Sequence, residues 1–322
     1  MLKLNNQCYL SSEPFTMQAM KTNLTKLGAL SIIVSFFLFS TSCGSSDKSK
    51  DNAEDLAAAE FDAAEQELEN EIDKVIHDLP SPSEVPFLLE ATGADFRAEF
   101  VNDLSKIESY LTSNDKSALN LGIYAADIGY LSSYNQAQEA LDYMEGCQKM
   151  ADKIGIASAF DMSLLARFEK SIGNNDSLAL IINEAIKVAE EKLEAGDRLT
   201  MAALVLAGSF VEGLYISTQV IEQYPADQLS ESNRDLILEP LMRIVLNQKI
   251  ALLDLISVLK HVEQDETIAN VISEMNILRF QYEELAELEQ KINNNKGGVV
   301  LHQHDLQKLA TEIERVRKDI TG

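Results

Sequence analysis

Apolar residues recur along most of this chain in steps of three and four, the spacing that keeps them on one side of an α-helix. The most regular stretch carries Leu241, Val245, Gln248, Leu252, Leu255, Leu259 and Val262, then Ile268, Val271, Met275, Leu278, Tyr282 and Leu285, and after the "NNNKGG" loop Leu306, Leu309, Ile313, Val316 and Ile320. Three consecutive seams at heptad spacing predict an antiparallel three-helix bundle or coiled-coil arm. Pro240, just ahead of the first seam, is expected in a first helical turn. Upstream, residues 53–79 read as an acidic helix with an apolar line at Phe61, Ala64, Leu68, Ile72, Val75 and Leu79, which should pack on something. "PSPSEVP", from Pro80 to Pro86, ends it, because proline rings cannot continue the hydrogen-bond ladder.

Between these regions helices are expected near 95–112, 115–132, 136–154, 158–171, 176–195 and 198–223. Turns with Gly, Asn or Asp separate them, at "TSNDKS", "KIGIAS", "IGNNDS", "EAGDR" and "YPAD". No segment reads as a strand. The expected fold is all-α, an antiparallel multi-helix array or bundle that ends in a heptad-patterned three-helix segment.

Two of these helices are apolar nearly all round, "ALNLGIYAADIGYLSSY" from Ala118 and "ALVLAGSFVEGLYISTQV" from Ala203. They align at an offset of 85, which matches Leu119 with Leu204, Leu121 with Leu206, Asp127 with Glu212, Tyr130 with Tyr215 and Ser132 with Ser217, hinting at an internal duplication. The second is long enough to span a bilayer, but Gly208, Ser209, Glu212, Gly213, Ser217 and Gln219 dilute it, and a central core helix is the better reading. Asp127 and Glu212 each stand alone in an apolar helix, and a buried carboxylate must find a partner or take up a proton. They are the candidate ligand-binding residues, a pair that could face one cavity and hold a small cationic ligand or a metal. The competing structural reading pairs each with Arg167, Arg243 or a helix N-terminus, or lets it reach solvent at a helix end.

The N-terminal region reads differently. An apolar run from Leu27 to Phe39, thirteen residues long, follows Lys21 and Lys26 and gives way to Ser40, Thr41, Ser42 and Cys43. That is the anatomy of a signal peptide, and it is too short to span a hydrocarbon core that needs about 20 apolar residues. The arrangement resembles a bacterial lipoprotein signal, with Ser40 where an aliphatic residue is usual. The resemblance implies that Cys43 is diacylglyceryl-modified, palmitate-type acylation included, and becomes the mature N-terminus. Met20 is the expected start, because "MKTNLTKLGALSIIVSFFLFSTSC" is self-contained. The text around "LEATGADF" and "LNLGIYAADIGYLSSYNQ" is similar to that of uncharacterised helical lipoproteins of Gram-negative envelopes. Gly44 after the cysteine implies, by that resemblance, the outer membrane. Each buried lipid methylene contributes about 0.8 kcal/mol and two or more chains anchor stably, so the polypeptide behind Cys43 need not touch lipid itself. The expected divisions are a signal peptide over 1–42, a lipidated tether and acidic helix over 43–83, a helical body over 84–228 and a C-terminal helical bundle over 229–322.

Charge narrows the partners. The net charge is −25, and removing residues 1–42 makes it about two units more negative, since that segment carries Lys3, Lys21 and Lys26 against Glu13. Such a surface repels phosphate backbones and anionic headgroups, so no nucleic acid is expected, and the membrane is engaged through the lipid. With Cys8 ahead of the cut and Cys43 acylated, Cys147 has no partner for a disulfide. His302, His304 and Asp305 in "HQHD" could contribute metal ligands, but a solvated loop is the default there and no metal or cofactor is expected. No HExxH, di-iron ExxH, CxxCH, GxSxG or phosphate-loop motif occurs. Acid-rich "EQELENEID" and "AEEKLEAGD" read as solvated helix faces. These features together predict a non-enzymatic, membrane-anchored envelope lipoprotein that binds or scaffolds a protein partner. A small-ligand or cation binder built on Asp127 and Glu212 comes second, and a metal-dependent enzyme near His302 and His304 last.

Overall fold

A computed structural model of the chain describes residues 92–157, 162–171, 174–194, 198–225, 229–293 and 302–322, together with parts of a helix between Ala63 and Val75. The signal segment, Cys43 and Cys8 lie outside the described residues. Every regular element among the described residues is helical: α1 (Asn114–Ser133), α2 (Ala137–Lys153), α3 (Met162–Lys170), α4 (Asn175–Glu194), α5 (Leu199–Glu222), α6 (Glu231–His261), α7 (Glu266–Glu284), α8 (Ala286–Asn293) and α9 (Gln307–Thr321), with short turns of helix between 98 and 110 and at Gln303–Leu306. The protein is all-α, as its periodicity predicts.

Local chemistry sets the helix starts. The Ser113 side chain accepts from the Lys116 N–H ahead of α1, and Asp265 accepts from the Ile268 N–H ahead of α7. Each satisfies a backbone donor that has no intrahelical partner. The α1–α2 turn places Asn135 at φ 57°, a conformation asparagine tolerates better than most residues.

α1 and α5 form the centre of the molecule and touch along most of their lengths. A Cβ added at Gly122 would lie 2.0 Å from the Val205 carbonyl oxygen, and one at Gly208 would lie 1.9 Å from that of Leu119. Only hydrogen fits at these two positions, so the backbones approach closely. The Ser209 hydroxyl uses the approach to donate to the Gly122 carbonyl at 3.1 Å. These contacts pair residues 119–123 with 205–209, and further along both helices Asp127 reaches Glu212. The two helices therefore run parallel, in the register given by the offset of 85. Short loops make sequential helices antiparallel, but this central pair is brought together by the intervening α2, α3 and α4.

α5 is the one described helix long and apolar enough to cross a membrane, and its residues are largely buried. It packs against α1, α4, α6 and α9, as a core helix would. Burial of each large apolar side chain along it contributes about 1.5–3 kcal/mol.

The three C-terminal seams are buried as their spacing requires. Leu241, Val245, Gln248, Leu252, Leu255, Leu259 and Val262 are all inside, as are Ile268, Val271, Met275, Leu278 and Tyr282, then Leu306, Leu309, Ile313 and Val316. Leu285 and Ile320 are partly covered. The seams do not close on each other alone, because α7 packs on α6 and α9 while α5 packs on both from the other side. One hydrophobic core thus runs continuously from the body into the C-terminal helices. In the helix between Ala63 and Val75, Leu68, Ile72 and Val75 are buried, and Lys74 and Glu71 reach Asp254, Ser257 and His261 of α6. Phe61, Ala64 and Leu79 of the same expected line lie outside the described residues.

Two expectations are corrected. Pro240 sits well inside the 31-residue α6 and not in a first turn. Its missing N–H frees the carbonyl of Leu236, and the local surface is open to water, with Leu236 67% exposed, so solvent can replace the lost bond. Residues 95–112 are not one helix but extended chain broken by helical turns at Ala98–Phe100, Leu104–Lys106 and Ile107–Tyr110. The cause is tertiary. The backbone groups that would form a helical ladder bond instead to side chains of α1 and α2: Arg97 N–H to Tyr130, Asn102 N–H to Asp127, and the carbonyls of Asn102 and Asp103 to the hydroxyls of Tyr143 and Tyr124.

Candidate functional site

Asp127 on α1 and Glu212 on α5 are fully buried and lie against each other. Their helices bring them together because Gly122 and Gly208 lie about one turn earlier on each. Neither Arg167 nor Arg243 reaches them. Arg167 bonds Glu184 on α4, and Arg243 bonds Glu239 within α6.

Their cation is Arg317, from the last helix. Its Nε donates to Glu212 Oε2 at 2.6 Å, its Nη2 donates to the Phe100 carbonyl at 3.2 Å, and its guanidinium lies 4.2 Å from the centroid of the Tyr215 ring. A planar guanidinium can make these contacts at once, where a lysine ammonium could not reproduce the fork and the ring stacking.

Burial raises Asp127 well above the ordinary carboxylate range, and the neighbouring Glu212 charge raises it further. Burial also raises Glu212, while Arg317 pulls it back down. The chemistry that satisfies both is a neutral Asp127 hydrogen-bonded to an ionised Glu212, itself paired with Arg317. Among the described residues, Asp127 Oδ1 and Glu212 Oε1 are buried with no donor of their own, as a proton retained on Asp127 would allow. Asp127 Oδ2 accepts from the Asn102 N–H at 3.1 Å.

A polar sheath extends outward from this centre. Asn102 is buried and donates from Nδ2 to the Tyr110 hydroxyl at 3.3 Å, and Tyr110 donates on to the Thr321 carbonyl at 3.0 Å. Lys106 Nζ binds the same carbonyl at 3.2 Å and that of Gly322 at 3.1 Å. The end of the chain is thereby clasped to the turn between 102 and 110. Cys147 is buried nearby as a free thiol, and burial pushes it far above its ordinary range, away from thiolate chemistry.

The arrangement joins four separate segments: α1, α5, the 97–110 strap and α9. With the arginine's hydrogen bonds directed at Glu212 and Phe100, its principal use is to hold those segments in one geometry. Sequence reasoning found both acids and missed the arginine. A signal existed, since position 317 lies four residues after Ile313 and three before Ile320 and so falls within the apolar stripe of α9.

The "HQHD" stretch also joins a cluster, though with different partners from those its sequence suggests. Asp305 accepts from the His302 N–H at 2.8 Å, capping the Gln303–Leu306 turn. His304 stacks on His302, with ring centroids 5.5 Å apart. The carboxylates near the His302 imidazole come from α6, where Asp235 Oδ2 lies 3.1 Å and Glu231 Oε1 3.9 Å from Nδ1.

No family model, curated protein or solved structure matches this chain.

Proposed function

We propose that the protein is a lipid-anchored lipoprotein of the cell envelope, held at the outer membrane through an acylated Cys43, with a non-enzymatic binding or scaffolding role. The observation that carries the binding role is a set of large apolar side chains left in water on adjacent helices. Ile250 and Leu253 of α6 are 59% and 44% exposed, and Ile277 and Phe280 of α7 are 37% and 56% exposed. The Tyr282 hydroxyl donates to the Val245 carbonyl at 2.8 Å, which sets the antiparallel register and puts Ile277 level with Ile250. Side chains at i and i+3 share a helix face, so α6 and α7 each present an outward apolar pair. Exposed apolar surface gathered in this way marks interaction sites.

The occupant we assign is a different protein, presenting an apolar helix face bordered by basic residues. A chain of net charge −25 repels a second copy of itself and attracts a basic partner. A photo-crosslinking residue placed at Phe280 in the membrane-bound protein tests this. The expected result is an adduct with one basic protein, abolished by Ile250→Asp and unaffected by a charge change at Glu108 on the 107–110 turn. An adduct between two copies of this chain, or none at all, would overturn the assignment. The anchor is tested separately, by the intact mass of the membrane-extracted protein, which should begin at Cys43 and carry acyl chains.

The second reading, a small-ligand or cation site at Asp127 and Glu212, gains support from their convergence. It is opposed by the guanidinium already set against Glu212.

A further inference from the structure

Glu231 and Asp235 occupy the first turns of α6 four residues apart, the spacing that puts both carboxylates on one side of a helix. Across from them His302 caps the Gln303–Leu306 turn that leads into α9. One donor atom from each of the three lies within 4.8 Å of the other two. Two of the separations, 3.1 and 3.9 Å, bracket the ~3.4 Å between donors that share a tetrahedral ion at about 2.0–2.2 Å.

The acids alone would be ordinary at a helix N-terminus, where the dipole favours negative charge. Asp235 is not ordinary. It is 3% exposed, and while its Oδ2 faces His302, its Oδ1 is buried with no donor among the described residues. A buried carboxylate oxygen left in this way costs free energy that a coordinated cation would recover.

We propose that Glu231, Asp235 and His302 form a binding site for a divalent transition-metal cation of the zinc type. One imidazole nitrogen and two carboxylates suit such an ion better than calcium or magnesium, which require more oxygen ligands and fewer nitrogens. Binding fastens the start of α6 to the turn that leads into the C-terminal helix, reinforcing the His302–Asp235 contact. Asp305 holds the His302 backbone and supports the site without entering it. This stands independently of the partner surface on α6 and α7.

The test is a zinc titration of the full chain purified in detergent and stripped with chelator, read by competition with a chromophoric chelator. The expected result is one zinc bound per chain, with affinity weakened about 10- to 100-fold by Asp235→Asn or His302→Gln and less by Glu231→Gln, which alters the exposed ligand. His261→Gln, at the other end of α6, should leave binding unchanged. Zinc should raise the unfolding temperature of the unaltered protein and not that of His302→Gln, and matched far-UV circular dichroism guards against misfolded variants. No zinc bound, or a stoichiometry and affinity untouched by both Asp235→Asn and His302→Gln, would overturn the proposal.

Discussion

The molecule holds two acidic clusters built from the same ingredients and put to opposite use. At the centre, Asp127 and Glu212 meet a guanidinium, and both acids are sealed from water. At the margin, Asp235 and Glu231 meet an imidazole, and one of the two acids is open to solvent. Arginine stays charged at any physiological pH and fills its place permanently, whereas histidine can give up its proton and accept an exchangeable ion. The closed cluster therefore keeps its own arginine as partner, while the open one has room for the exchangeable ion we propose. The same division runs through the apolar surface, since the largely apolar α1 and α5 bury most of their length while α6 and α7 each leave large apolar side chains exposed.

The largest expected effect comes from breaking the closed cluster. Arg317→Met should destabilise the fold by about 3–5 kcal/mol, because it strands Glu212 as a buried charge, and chemical denaturation measures this. Next is Gly208→Ala, whose added methyl would meet the Leu119 carbonyl and push α1 from α5, costing about 1–3 kcal/mol or more by the same measurement. A smaller and pH-dependent effect sharpens the comparison. The folded Asp127 keeps a proton that the unfolded chain releases above the ordinary carboxylate range. Stability then falls as pH rises above that range, until the folded group itself ionises. Asp127→Asn should remove up to about 1.4 kcal/mol of this slope per pH unit, seen as a difference between the two proteins' stability against pH. The smallest stability effect belongs to the open surface, where Phe280→Ser should change stability by no more than about 0.5 kcal/mol while abolishing partner crosslinking.

Helical periodicity made most of the fold legible. The bounds of α1, α2, α4 and α5 fall within a residue or so of those read from apolar spacing and turn residues, and the three C-terminal seams are buried as written. The failures share a cause. At 95–112 and at Pro240, local propensity was outweighed by partners distant in sequence or by access to water. The candidate site was half legible for the same reason. An acid in an apolar helix announces its burial, but nothing local to Asp127 or Glu212 names an arginine more than a hundred residues away. The margin cluster was hidden because His302 draws its carboxylates from α6 and not from the adjacent Asp305.

The most direct measurement is a double-mutant cycle on the central pair, with Glu212→Gln, Arg317→Met and their combination compared by equilibrium denaturation. If Arg317 closes the carboxylate pair as a structural clasp, each single substitution is costly and the double is markedly less so than their sum, with a coupling energy of about 1–3 kcal/mol. Additive losses, with coupling within about 0.5 kcal/mol, would contradict it and return Asp127 and Glu212 to the role of an open ligand site.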